Sequence, residues 1–185
     1  MSLGSSRAPE CRSWIWCSRS KTFRSKFKPW GDSTKNFVYL ANIMVFNLSV
    51  LLLVAHIRGV AIFVEQPSSS LLRSYEPFKT FWEYALRHTA RTYLGAFGAK
   101  TPKPIDIMSN CSDVHKLRRP PPQGLDRLCS KDSKGGVNGK KSMMSSSQSY
   151  PSGFGRAVSK VYKNMLKKKC VRKHFSMLHA ELFHL

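Results

Sequence analysis

The sequence predicts an α/β fold, and three observations in the first half of the chain lead to that prediction. The stretch from Phe37 to Ala55 is apolar and has the length of a helix. Arg58 and Gly59 follow it, and a glycine directly after a basic residue is typical of a helix end. Residues 60–64 are rich in Val and Ile, which predicts a short buried strand.

The next segments continue this alternation. Pro77 is well placed in the first turn of a predicted helix, and five apolar residues fall on one face of that helix: Phe78, Phe81, Trp82, Ala85 and Leu86. Residues 91–94 and 105–108 predict two further short strands. A helix followed by a strand is half of a βαβ crossover, so we expect parallel strands in a mixed sheet with flanking helices. Between the strands at 91–94 and 105–108 we expect a hairpin-like return of the chain.

Composition changes divide the chain into four predicted regions. Residues 1–35 form a basic, aromatic arm that we expect to be partly disordered, and residues 36–117 form the α/β core. Residues 118–151 are rich in Pro, Gly and Ser, which indicates a linker or loop. Residues 152–185 are a basic helical segment, whose first part carries an apolar stripe of Phe154, Val158, Val161, Tyr162, Met165 and Leu166.

Charge is the most unusual property of the composition. The chain has 185 residues and a formal net charge of +21, from 31 Lys and Arg against 10 Asp and Glu. Residues 156–174 alone carry eight basic and no acidic side chains, whereas residues 37–97 are close to neutral. The positive margins favour a polyanionic partner such as nucleic acid, an anionic membrane or an acidic protein.

The cysteines and histidines predict neither a disulfide framework nor a metal site. Five scattered cysteines form no C-x-x-C pair. Free thiols indicate a reducing compartment, so we expect an intracellular protein. The basic run that begins at Lys167 resembles a nuclear-import cluster, which would place the protein in the nucleus.

Two basic segments are candidate nucleic-acid contacts. In the arm, aromatic residues alternate with cations, a pattern that can stack on bases and neutralise phosphates of a single strand. The same pattern also fits a disordered arm whose aromatic side chains pack onto the domain. In the C-terminal segment, cations cluster at the end of the predicted helix. The predicted contacts are Arg12, Trp14, Arg19, Arg24, Lys167, Lys168, Lys169, Arg172 and Lys173.

Three short motifs occur in order along the chain. Ala8-Pro9-Glu10-Cys11 is followed by Glu65-Gln66-Pro67 and then by Ser147-Gln148-Ser149-Tyr150-Pro151. The arrangement resembles the C-terminal half of a DNA cytosine methyltransferase-like domain, and is most similar to an uncharacterised algal protein group with APPC, EQP and SQ-x-YP motifs. The resemblance implies a partial Rossmann-like fold, with Cys11 as a thiolate nucleophile and Glu65 as an acid that contacts the target base. From the residues themselves, Tyr150 and Pro151 predict a turn anchor.

The resemblance does not extend to a cofactor site. No glycine-rich loop follows a strand ahead of Cys11, so we expect S-adenosylmethionine to bind only if an upstream half exists. The leading hypothesis is therefore a truncated or degenerate methyltransferase-like domain with a basic nucleic-acid-binding surface and no catalysis by this chain alone. A non-enzymatic nucleic-acid-binding protein is the first alternative.

A single-pass membrane protein is the second alternative. The stretch from Phe37 to Ala55 is long enough to cross most of a bilayer as a helix. Asn42, Asn47 and Ser49 interrupt it, and a predicted strand follows it closely. These features favour a buried helix of an α/β domain over a membrane span. Oligomeric state cannot be predicted from the sequence.

Overall fold

The computed structural model describes residues 13–125, 130–131, 137–138 and 149–167. These residues form four α-helices, which are α1 (Arg19–Thr22), α2 (Asn36–Ile57), α3 (Glu76–Ala85) and α4 (Ser152–Lys167). The described strands are β1 (Phe63–Pro67), β2 (His88–Tyr93), β3 (Pro104–Ser109), β4 (Ser130–Lys131) and β5 (Val137–Asn138). The α/β character predicted from the sequence is confirmed.

The chain divides into two compact units. Among the described residues, the first unit contains 13–54 and 69–84, and the second contains 55–68 and everything described from residue 85 onward. Residues 13–35, predicted as a partly disordered arm, have a defined backbone that includes α1. Within the predicted linker, β4 and β5 form a two-stranded antiparallel pair.

Helix α2 ends where the sequence predicts. Gly59 has φ +69°, the left-handed conformation that glycine adopts without strain. The amide of Val60 donates to the carbonyl of Ala55, and the amide of Gly59 donates to that of His56. This pair of bonds is a Schellman motif, which satisfies carbonyls at the helix end.

The burial predicted for α2 is wrong. The most apolar 18 consecutive residues of α2 have a mean hydropathy of 2.2, and only 17% of them are buried. Val38, Val45 and Ser49 are the buried positions of the helix. Eleven large apolar side chains of α2 are exposed: Phe37, Tyr39, Leu40, Ile43, Met44, Phe46, Val50, Leu51, Leu53, Val54 and Ile57.

The main sheet has three strands in the order β1-β3-β2, and both ladders are antiparallel. The predicted parallel pairing is therefore wrong for the described strands, whereas the predicted hairpin-like return is confirmed by the antiparallel pairing of β2 with β3. β1 and β2 run parallel to each other and are connected through α3, but β3 lies between them. The short connection from β2 to β3 returns the chain in the opposite direction, and this geometry favours an antiparallel pair.

One face of this sheet carries the core of the second unit. Ile107 lies opposite Glu65 on β1 and Ala90 on β2, so these three side chains share a face. The amphipathic helix α4 packs Phe154, Val161 and Met165 of its predicted apolar stripe into this core, whereas Leu166 at the end of the stripe is exposed. The buried members of the core are Ala90, Leu94, Ile105, Ile107, Cys111, Val114, Leu117, Phe154, Val161 and Met165.

Candidate functional site

Glu65 is the described residue that the sequence motifs single out for chemistry. Its side chain lies on the core-facing side of β1, where the hydroxyl of Tyr150 donates a hydrogen bond to Glu65 Oε2. The other oxygen, Oε1, is buried and accepts no hydrogen bond from the described residues. Lys103 lies nearby, with its Nζ 5.5 Å from the centre of the Tyr150 ring.

The environment of Glu65 favours the protonated carboxyl. Burial raises the pKa of Glu65 above its ordinary value. The hydrogen bond from Tyr150 and the charge of Lys103 oppose that rise in pKa, whereas the charge of Asp106 adds to it. A carboxyl of this kind can act in proton transfer, but Glu65 lines neither of the two surface grooves described below.

The sequence predicts Tyr150 as a turn anchor and gives it no role at the Glu65 site. Tyr150 stands ahead of α4, and its ring stacks on Phe154 with centroids 5.5 Å apart. Phe154 in turn meets Phe97 edge-on at 5.4 Å. Two of the three sequence motifs, Glu65-Gln66-Pro67 and the segment ending at Tyr150-Pro151, therefore meet in space. Their order along the chain was the only signal of this contact.

Trp14 and Arg24 occupy the interior of the first unit. Their side chains are 2% exposed, and the guanidinium of Arg24 lies 3.6 Å from the centre of the Trp14 ring. Arg24 Nε and Nη2 donate to Ser13 Oγ at 3.2 and 3.1 Å. Burial lowers the pKa of Arg24 to about 10. The prediction that these two side chains contact nucleic acid is wrong for this structure, because neither has a free surface.

The other predicted contacts divide into two groups. Arg19 in α1 and Lys167 at the end of α4 are exposed. The remaining predicted site residues lie outside the described residues, and they are Cys11, Arg12, Lys168, Lys169, Arg172 and Lys173.

A basic surface that sequence reasoning missed in part lies on the second unit. One groove follows the outer face of α4 and is lined by Gly155, Arg156, Ser159, Lys160, Lys163, Asn164 and Lys167. A second groove shares Lys160 and Asn164 with the first and adds Lys116 and Arg119. We call the two grooves together the α4 groove.

The cations of the α4 groove differ in how they are engaged. Lys116 Nζ forms an ion pair with Asp113 Oδ1 at 2.8 Å. Arg119 Nη1 donates to the carbonyls of Lys116 and Arg118. Within the part of the chain that the structure describes, Arg156, Lys160, Lys163 and Lys167 form no ion pair, and α4 contains no acidic residue. Their spacing, which repeats every three or four residues, places them on one face.

The described residues provide no metal centre. They contain no group of three or more His, Cys, Asp or Glu side chains that could hold a metal ion. Cys17 and Cys111 are not part of a disulfide, and Cys111 is buried in the core.

No known protein family, curated protein or solved structure matches the chain. Its function is therefore inferred from its own residues.

Proposed function

We propose that the protein is a nucleic-acid-binding α/β protein that holds the phosphate backbone of a single strand in the α4 groove. The observation that supports this is a row of four cations that form no ion pair with any carboxylate among the described residues: Arg156, Lys160, Lys163 and Lys167. Cations that no acidic side chain neutralises are available to replace the counterions of a polyanion.

The neutral residues of the groove favour the same partner. Ser159 and Asn164 lie between the cations, and hydroxyl and amide groups commonly donate to phosphate oxygens. Among the described residues that line the two grooves none is aromatic, so the described lining offers no stacking platform for bases. We therefore expect binding that depends on phosphate charge and only weakly on base sequence.

The experiment is a titration of a fluorescently labelled single-stranded oligonucleotide with the full chain at several salt concentrations. The proposal expects affinity that falls steeply as salt increases. Loss of Lys160 should weaken binding, whereas loss of Lys79 on α3, which is partly exposed and pairs with Glu76, should have little effect with the same change in net charge. An affinity that does not change with salt would contradict the proposal.

We further propose that the domain is methyltransferase-like and has no catalysis on its own. The sequence motifs and the contact between Glu65 and Tyr150, which joins two of them, support this. Titration of the full chain with S-adenosylmethionine in a calorimeter should give no binding heat. Micromolar binding would overturn the expectation that this chain lacks the cofactor site.

A membrane span is the second candidate function. Helix α2 is long and apolar enough to cross a bilayer. Against a span, the amide of Leu71 donates to the carbonyl of Trp14 at 2.8 Å, which joins a segment before α2 to one after it. A spanning helix about 33 Å long would separate these segments, so the first unit would have to open. Release of the protein by alkaline carbonate would exclude the span, and retention would support it.

A further inference from the structure

The loop between α1 and α2 presents a phenylalanine that is almost fully exposed. Phe27 is 94% exposed, and its neighbours Lys26 and Lys28 are exposed as well. Phe23 and Trp30 are 56% and 50% exposed. We call the segment from Phe23 to Trp30 the Phe27 loop. A single exposed apolar side chain is ordinary, but three aromatic side chains exposed within one short loop indicate a binding surface.

The Phe27 loop is held in one conformation by hydrogen bonds. The amide of Ser25 donates to the carbonyl of Lys28 at 3.1 Å, and the amide of Lys28 donates to Ser25 Oγ at 2.9 Å. These bonds close a turn with Phe27 at its tip. Behind the turn, the buried guanidinium of Arg24 donates to the carbonyl of Pro29. The loop is therefore ordered before a partner arrives, which lowers the entropy cost of binding.

The Phe27 loop is joined to the first half of helix α2. Asn42 Nδ2 donates to the carbonyl of Trp30 at 3.0 Å, and Arg24 Nη2 donates to the carbonyl of Val38 at 3.4 Å. The loop and this half of α2 lie in the same unit. A partner of the loop therefore also meets the exposed apolar side chains of the first unit.

Exposed aromatic rings between cations suit two kinds of partner, a single-stranded nucleic acid and an anionic membrane. Bases stack on rings that line a groove, whereas Phe27 stands at the tip of a turn with no wall beside it among the described residues. A protruding ring can enter the boundary between lipid headgroups and acyl chains, while flanking lysines meet anionic headgroups.

Helix α2 favours the membrane as well. It is apolar, and only 17% of its most apolar 18 residues are buried. A nucleic acid bound to the Phe27 loop would leave these apolar side chains in water, whereas lipid can cover apolar surface and bind cations at the same time. An anionic membrane is thus the partner that matches both features of the first unit.

We propose that the Phe27 loop binds the surface of an anionic membrane, with Phe27 and Trp30 inserted at the level of the headgroups and Lys26 and Lys28 on anionic lipid. This attachment leaves the first unit folded, whereas a membrane span by α2 would require that unit to open. It is also independent of nucleic-acid binding, because the α4 groove lies on the second unit.

The experiment measures co-sedimentation of the full chain with vesicles of two compositions. One is phosphatidylcholine alone, and the other is phosphatidylcholine that contains phosphatidylserine. The wild type should bind the anionic vesicles more tightly, and this binding should weaken as salt screens the charges. Equal binding to the two compositions, or binding to neither, would overturn the proposal.

Variants locate the binding on the loop. Phe27→Ala should weaken binding to anionic vesicles by about tenfold, because the ring no longer leaves water. Leu166→Ala is the matched control, since Leu166 is a large apolar side chain of the second unit with 57% exposure, and it should bind as the wild type does. Lys26→Gln should weaken binding to anionic vesicles more than Lys79→Gln, which makes the same change in net charge on α3.

An oligonucleotide titration of the same variants separates the two binding proposals. Phe27→Ala should leave oligonucleotide affinity unchanged. If the wild type binds anionic vesicles through Phe27 but binds no oligonucleotide, the membrane proposal stands and the nucleic-acid proposal fails. If Phe27→Ala weakens oligonucleotide binding and not vesicle binding, the loop is a base-stacking site and the membrane proposal is wrong. Equal vesicle binding by Phe27→Ala and Leu166→Ala would also overturn it.

Discussion

Tyr150 donates a hydrogen bond to Glu65 across 85 positions of sequence, and this bond joins the start of α4 to strand β1. Glu65 Oε1 is buried without a donor among the described residues. The pair thus links the sheet to the helix that carries the proposed binding groove. The predictions for Glu65→Gln and Tyr150→Phe depend on this hydrogen bond.

Glu65 should make the stability of the fold depend on pH. Its pKa is raised in the folded chain, chiefly by burial, from an ordinary value of 4.5. A raised pKa means that the folded state holds its proton more tightly. The stability that the protonated Glu65 contributes is fully present below pH 4.5. It is lost as the pH rises through the pKa of Glu65 in the folded state. Glu65→Gln mimics the neutral acid and does not titrate. When the pH is raised from 4.5 to neutrality, thermal unfolding should show a smaller loss of stability for this variant than for the wild type. Parallel curves would contradict this.

Tyr150→Phe should destabilise the second unit. The substitution keeps the ring that stacks on Phe154 but removes the donor to Glu65, leaving a largely buried carboxyl without it. The expected loss is about 1 kcal/mol in the free energy of unfolding, measured by urea denaturation. Tyr162→Phe is the control, because Tyr162 lies in the same unit, on α4, with no hydroxyl hydrogen bond in the described structure. Equal losses would show that the Tyr150 bond contributes nothing specific.

The two glycines at the start of α4 should respond in opposite ways to alanine. A Cβ at Gly153 would lie 2.6 Å from the carbonyl oxygen of Phe97, whereas one at Gly155 would meet nothing within 4 Å. Gly153→Ala should therefore cost about 1–3 kcal/mol through overpacking. Gly155→Ala should add roughly 0.5–1 kcal/mol, because alanine favours a helix. Thermal unfolding of the two variants compares them directly, and a stabilising Gly153→Ala would contradict the described contact.

Arg24→Lys should destabilise the first unit although it preserves the charge. Lysine cannot reproduce the bonds from the guanidinium to Ser13 and its planar stacking on Trp14. The expected loss is about 2–3 kcal/mol. Arg19→Lys, at an exposed position, is the control and should change stability by less than about 0.5 kcal/mol. If Arg24→Lys is as stable as wild type, Arg24 is not buried in solution.

Local patterns predict the helices of this chain well and its long-range contacts poorly. The apolar periodicity of α3 and α4 and the glycine stop at Gly59 are visible in the sequence because they depend on neighbouring residues. The hairpin-like return from β2 to β3 is also predicted from the sequence. The position of β3 between β1 and β2 depends on which distant strands pair, and no local pattern specifies that. The burial of Arg24 was missed for the same reason. A cation next to aromatic residues in the sequence can lie on the surface or in the core, and the local pattern is the same in both cases.

The salt dependence of oligonucleotide affinity tests the central claim most directly. The logarithm of the association constant should fall linearly with the logarithm of salt concentration, with a slope of about −0.7 for each phosphate contacted on a single strand. Lys160→Gln and Lys163→Gln should each reduce the steepness of that slope by about the contribution of one phosphate contact. Lys79→Gln should leave the slope unchanged. If all three variants keep the wild-type slope and affinity, the α4 groove does not bind nucleic acid.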